Sequence, residues 1–411
     1  MERTAGVVVD EAGCMERADL ACVWELRGHP CLLAGDPRQL PPTVLSDNVA
    51  DAHGNVYHRL VSDAKVSALE WLEASGVSVY RPKTQLRMAR GLFDYVGELV
   101  YPQVGFSYGS MCNISEERFA PGRKLEAFVT SAPYRARPSP ANTLLPVFIH
   151  CQDTEVLVSE QSTSRVAPGQ VRAALDFLVK LVDQKKIDAA QITIISPYTG
   201  NVQLINDWLE LPEFASLASM SAAMTVDSFQ GREGDIVILV MGTNAVRGPG
   251  FTRDPHRLNV MATRQRCGLV IFGDAAVVGD LSGGPRDTVK YPVCGPDGET
   301  RNLNVTVVWN LLNRLQRDGR IVGRAVVAGL GRGGGPGGGG GARGRGGGVG
   351  PGAFRQGGPL SGGGGAVGRG GVGRGGGRGE LGRGGGLGRG GRGDGRGGAS
   401  GGRGGRGRGW S

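Results

Sequence analysis

The sequence predicts an α/β protein built on parallel sheets, from two observations and the order in which they recur. Short aliphatic runs at 5–9, 31–34, 192–196, 236–241 and 268–272 each end at a polar or Gly/Pro turn. They lack the polar alternation of a half-exposed strand, as strands covered on both faces do. Between them lie helical patterns such as 171–183, which puts Val171, Ala174, Leu175, Leu178, Leu181 and Val182 on one face. Strands alternating with helices imply a doubly wound sheet, whose ligands sit at strand carboxyl ends, where Asp10, Asp36 and Pro197 fall.

Taken in order, residues 1–80 read as one domain, with strands 5–9 and 31–34 and closing helices over 46–80. Residues 81–275 read as a second, more complete domain. Its stretch 105–145, with a Pro-Ser-Pro and few apolar runs, reads as a long loop or insertion. Residues 276–330 form a C-terminal extension in which 305–315 is expected to be a helix packed back on the second domain.

From 331 to 411 the chain is mostly Gly with Arg, which cannot bury enough apolar surface to offset its ordering entropy, so a disordered tail is expected. That stretch holds 14 Arg, no Lys and only Glu380 and Asp394 as acids. Its net charge is therefore +12 against +9 for the whole chain, which leaves residues 1–330 near −3. The basic balance belongs to a tail that seeks polyanions. The seven cysteines include no C-x-x-C pair, and an odd number without a leader argues for reduced thiols and an intracellular, cytoplasmic or nuclear protein. No apolar run approaches the ~20 residues of a membrane helix, so no membrane partner is expected.

Four segments carry chemistry. Val7-Val8-Val9-Asp10-Glu11 is a strand ending in two carboxylates, the arrangement with which a Mg²⁺-dependent ATPase holds its metal and polarises water; alone, it equally describes an acidic strand end. The others are Gly35-Asp36-Pro37-Arg38-Gln39-Leu40-Pro41-Pro42, Asp227-Ser228-Phe229-Gln230-Gly231-Arg232-Glu233 and Arg257-Leu258-Asn259-Val260-Met261-Ala262-Thr263-Arg264. Together they resemble the motifs of superfamily 1 helicases, in particular the senataxin and nonsense-mediated-decay helicase branch.

The resemblance implies RecA-like sheets of the P-loop NTPase type, one partial and one nearly complete, and ATP with Mg²⁺ as cofactors. It makes Asp10 the metal ligand, Glu11 the group that polarises water and Gln39 the γ-phosphate sensor. Thr84-Gln85-Leu86-Arg87-Met88 resembles the family's Gln-Tyr-Arg-Met element, with Leu86 in place of the aromatic. Arg87 and Arg264 are then the arginines that reach the γ-phosphate, suited to it by planar paired donors. Gly35, Asp36, Gln85, Gln230, Gly231 and Glu233 fall at nucleotide-contacting positions, Glu233 at the sugar. Pro197, Tyr198, Thr225, Ser228 and Asn259 fall on the single-strand face. Asn201 replaces the Gln of the family's Pro-Tyr-x-x-Gln, and 164–170 lacks its usual Asn and Glu. The tail's Arg-Gly repeats, Arg374, Arg383, Arg389, Arg396 and Arg403 among them, resemble RGG boxes that pair with phosphate and stack on bases, favouring RNA.

No G-x-x-x-x-G-K-[ST] occurs in the 411 residues. The expectation is accordingly the C-terminal portion of an ATP-dependent RNA or DNA helicase, inactive as this chain because the P-loop is absent. The alternative is a non-enzymatic pseudo-helicase that binds RNA through its second domain and tail.

Overall fold

A computed structural model describes residues 6–323, apart from 25–28, 45–48, 52, 54, 57, 160–163 and 295–298. Strands β1 (Val7–Val9) and β2 (Cys31–Leu33) pair in parallel across α1 (Arg17–Trp24), with Val7 opposite Cys31. Helices α2 (Val61–Ala64) and α3 (Ala68–Ala74) follow. A short parallel pair, β3 (Thr84–Gln85) and β4 (Ser107–Tyr108), brackets α4 (Asp94–Val100) and leads to α5 (Ala120–Val129) and β5 (Val147–His150). Beyond the hairpin of β6 (Leu157–Val158) and β7 (Arg165–Val166) come α6 (Pro168–Lys185), β8 (Ile192–Ser196), α7 (Thr199–Leu209), β9 (Met224–Thr225) and β10 (Gly234–Val240). The chain continues through α8 (Pro255–Met261), β11 (Gln265–Gly273), the antiparallel pair β12 (Lys290–Cys294) and β13 (Thr300–Asn304), α9 (Thr306–Arg317) and β14 (Ile321–Gly323).

Six of these strands make one parallel sheet in the order β14-β5-β11-β10-β8-β9. Its two faces explain the unbroken apolar runs. Ile236, Ile238 and Val240 of β10 enter one core with α5, α6 and α7, while Val237 and Leu239 enter the other with α4, α8 and α9. Successive side chains of a strand point to opposite faces, and here both faces are covered. This is the doubly wound α/β architecture expected.

One expectation on organisation needs correction. The stretch 105–145 is not a plain loop, because α5 within it buries Leu125, Phe128 and Val129. Its Pro121-Gly122 reads as a breaker. Yet Pro121 lies in the first helical turn, where the missing N–H has no helical partner to lose, and Gly122 is where a Cβ would strike the Cys267 carbonyl. In residues 276–330 the helix expected over 305–315 is α9, which packs on α4 and α8 and buries Trp309 completely, and β14 supplies the edge strand next to β5. Residues 331–411, with the tail expected to be disordered, lie outside the described residues. Among those described, no helix is long and apolar enough to cross a membrane.

Candidate functional site

The carboxyl ends of β1 and β2 face the amino ends of β10 and β11, and the four motifs meet there. After β1 the backbone turns sharply at Glu11, a non-glycine residue at φ 52° and ψ 34°. The left-handed conformation costs such a residue on the order of 1–3 kcal/mol and persists where its surroundings hold it. The turn is pressed onto the end of β2: a Cβ on Gly13 would strike the Asp36 carbonyl and one on Gly35 the Gly13 and Ala12 amides. Glycine at both places lets the two strand ends lie backbone to backbone.

From the other side come Arg264 and Glu233, each immediately before its strand, where the Gly234 amide donates to the Arg264 carbonyl at 3.0 Å. The Arg264 guanidinium is 2% exposed and donates to Gln39 Oε1 at 3.3 Å and to Thr263 Oγ1 at 2.9 Å. Its Nε is buried with no hydrogen-bond partner. Burial first, and the nearby Arg87 second, lower its pKa to about 10, so it remains charged at neutral pH. Gln230 Nε2 donates to Glu11 Oε2 at 3.2 Å, joining residues 219 apart in sequence. Arg87 Nε pairs with Glu233 at 2.7 Å and its NH1 donates to the Thr263 carbonyl at 3.1 Å.

Asp10 is exposed just beyond β1 and accepts the Glu11 N–H at 2.9 Å. A single carboxylate of this kind suits Mg²⁺, which keeps much of its water and takes further ligands from phosphate oxygens. No cluster of three or more His, Cys, Asp or Glu side chains among the described residues could hold a metal by itself.

The AAA domain family matches residues 64–276, just over half of the chain. The chain belongs to that family. Its relatives include the DNA-binding protein SMUBP-2 of Mus musculus, 31% identical over 278 residues that make 66% of this chain and 25% of that protein. Regulator of nonsense transcripts 1 of Dictyostelium discoideum is 27% identical over 66% of this chain and 18% of its own length. ATP-dependent helicase NAM7 of Saccharomyces cerevisiae is 29% identical over 59% of this chain and 22% of its own. These are superfamily 1 helicases of the senataxin and nonsense-mediated-decay branch. The chain thus spans about a quarter or less of the length of these relatives.

Within this helicase-family chain the seam gathers Glu11, Gln39, Asp36, Arg87, Arg264, Gln230 and Glu233. Gly231, at φ +74°, lies where a Cβ would sit 3.3 Å from Glu11 Oε1. Gln85 does different work: its Oε1 accepts the Arg87 and Met88 amides at 2.8 and 3.3 Å, capping the turn that carries Arg87. A cleft of about 510 Å³ lined by Arg118, Lys124, Gln191, Asp235 and Arg266 opens beside the seam, but of the residues above only Arg87 borders it.

The single-strand face departs from expectation at two positions. Asn259 is 1% exposed, too buried to meet a strand; its Nδ2 donates to the Arg38 carbonyl at 2.9 Å and to the Tyr101 hydroxyl at 2.6 Å, so it fastens the seam instead. Tyr198 is 4% exposed, with its ring stacked at 5.2 Å on Phe251. Thr225 and Ser228 do form a surface turn, their hydroxyls 2.9 Å apart, and Pro197, directly after β8, is half-buried. Arg374, Arg383, Arg389, Arg396 and Arg403 lie outside the described residues.

Sequence reasoning missed three seam residues. The Tyr101 hydroxyl donates to Asp36, and burial together with that carboxylate pushes its pKa up. His256 Nδ1 lies 2.6 Å from the Gln39 carbonyl, and Arg38 donates to the Val100 carbonyl while lying over the Tyr101 ring. Arg38 and His256 sit in or beside the motif segments and could have been flagged. Tyr101, 65 residues from Asp36, carries no local signal.

Proposed function

We propose that this chain is the hydrolytic and strand-gripping part of an ATP-dependent helicase, in which the seam acts on the γ-phosphate and drives movement along a single strand. The buried Arg264 guanidinium carries the proposal. It is a charged group with an unpartnered Nε, beside the polar Gln39 and close enough to Arg87 for the two cations to repel each other. Arg87 is partly exposed and already paired with Glu233, but a buried guanidinium whose Nε has no partner is costly unless an anion joins it, and the developing charge of phosphoryl transfer is such an anion.

In this reading Arg264 and Arg87 donate to the γ-phosphate oxygens, and Gln39, tied to Asp36 through Nε2 at 3.1 Å, senses their presence. Glu11 accepts the proton of the attacking water once Gln230 releases it. Asp10 would hold Mg²⁺, which would supply charge neutralisation to the phosphates of ATP. A P-loop, which these 411 residues do not contain, must complete the site for turnover. The strand runs over the Thr225–Ser228 turn, with the Gly/Arg tail adding affinity and favouring RNA. That missing motif also supports a second reading, a pseudo-helicase that binds nucleotide and strand without turnover.

Phosphorus NMR of Mg·ATP titrated with the 411-residue chain tests the seam directly. Selective broadening of the γ over the α resonance is expected at roughly millimolar affinity, about 4 kcal/mol. It should be lost in Arg264→Ala while the circular dichroism stays native. Absence of broadening, or equal broadening in both proteins, would overturn the assignment.

A further inference from the structure

The half-exposed aromatic at the start of the loop before α8 is held by more structure than a stray surface side chain needs. Phe251 sits in a turn over Gly250–Arg253 and is 47% exposed. Its ring stacks on the buried Tyr198 with centroids 5.2 Å apart and planes 22° from parallel, and its amide donates to the Tyr198 hydroxyl at 3.0 Å. Behind Tyr198 lies the Arg165 guanidinium, 5.4 Å from the ring centroid and donating to the Arg247 and Gly248 carbonyls at 2.7 Å each. Gly250, at φ +51°, passes so close that any Cβ would strike both the Tyr198 hydroxyl and Arg165. On the outer side the Arg257 guanidinium lies 4.5 Å from the Phe251 ring, its plane fixed by two bonds to Asp227 at 3.2 and 3.1 Å.

We propose that the open part of the Phe251 ring, together with the Arg257 guanidinium, stacks a base of a single-stranded nucleic acid, and that Tyr198 and Arg165 are the props that aim it. The proposal rests on the strand-binding reading above and moves the base contact from Tyr198, where the sequence pointed, to Phe251. Three features choose this occupant. The Arg257 guanidinium lies over the ring, so the column of Tyr198, Phe251 and Arg257 ends in a planar cation beside the exposed part of the ring, a surface on which a base can stack without sequence preference. The surroundings are cationic although residues 1–330 are near −3 overall: Arg247 and Arg253 are exposed on the same loop, against Asp227 and Asp254. Asp227 also ties the column to the Thr225–Ser228 hydroxyl turn, so phosphate-gripping groups and the stacking ring form one surface.

The test compares the full chain's affinity for a single strand with that for the same strand made abasic. Stacking is worth roughly 1–3 kcal/mol per base, so Phe251→Ala should reduce the base-over-abasic preference by about 5-fold or more while abasic affinity changes little. Phe251→Trp should retain the preference. Ultraviolet crosslinking of a strand to the unaltered chain, followed by peptide mapping, should mark the 250–257 segment and does not depend on how any variant folds. If the unaltered chain binds no strand, the strand-binding reading fails and this proposal with it. If it binds, but Phe251→Ala keeps the preference and the crosslink maps elsewhere, only this proposal is overturned.

Discussion

Residues 84–323 and residues 6–80 meet at the seam, but they hold their shape by different means. In the larger region Ile238 and Val270 are fully buried in a six-stranded sheet covered on both faces. In the smaller one β1 and β2 pair only with each other among the described residues, and Val8 and Leu32 are 76% and 63% exposed. Yet Asp10, Glu11 and Gln39 all sit on the smaller region. Their geometry is borrowed through polar bonds to the larger one: Tyr101 to Asp36, Asn259 and Val100 to Arg38, His256 to Gln39 and Gln230 to Glu11. A packed core thus fixes the arginine side of the site, and hydrogen bonds across the seam fix the carboxylate side.

The largest effect should come from breaking the arginine side. In a version of the protein that carries a P-loop, Arg264→Ala should cost about 10³-fold or more in ATP turnover, the usual scale for an arginine that stabilises transferring phosphoryl charge. Turnover within a few-fold of the unaltered protein in a steady-state assay would remove Arg264 from the site. The 411-residue chain itself should show only background turnover, because a γ-phosphate held by the arginines alone, without a P-loop to grip the β-phosphate, is not positioned for attack.

Next comes the contrast in stability. Trp309→Ala, at a fully buried side chain of α9, should lose about 3–5 kcal/mol in chemical denaturation. Leu32→Ser should stay within about 0.5 kcal/mol, as exposed positions do. Similar losses at both would mean that residues 6–80 have a core of their own.

The tail sharpens the comparison from outside. With 14 Arg over residues 331–411 and a remainder near −3, strand affinity should fall on the order of 10²-fold between 50 and 200 mM salt. Deleting residues 331–411 should remove most of that salt dependence. A titration in which the shortened chain binds as well at low salt would shift the phosphate contacts onto the folded part.

The smallest effect isolates the borrowed geometry. Tyr101→Phe removes the hydroxyl that donates to Asp36 and accepts from Asn259, at a cost of about 1–2 kcal/mol. Amide exchange should quicken over 31–40 and not over the large sheet. Uniform quickening would say that Tyr101 supports the core and not the seam.

The fold was legible where patterns are local. Strand 192–196 has the bounds read from its apolar run, and the helix read over 171–183 extends only to Pro168–Lys185. Helix α5 escaped because Pro121-Gly122 looks like a stop while acting as a start and a close contact. Edge strand β14 escaped because three residues, Ile321–Gly323, carry no periodicity. At the site, the residues that the structure brings together on the seam lie in the segments that carry the family resemblance. Burial was not legible: nothing local separates the buried Asn259 and Tyr198 from exposed polar neighbours such as Ser228, because the groups that cover them come from elsewhere in the chain.

The central claim is that the two regions form one nucleotide site, and hydrogen exchange with and without saturating Mg·ATP measures it on the intact chain. Peptides covering 7–14 and 31–40 from one region and 255–266 from the other should slow together, and none of them should slow in Arg264→Ala. Protection confined to one region, or unchanged by loss of Arg264, would contradict it.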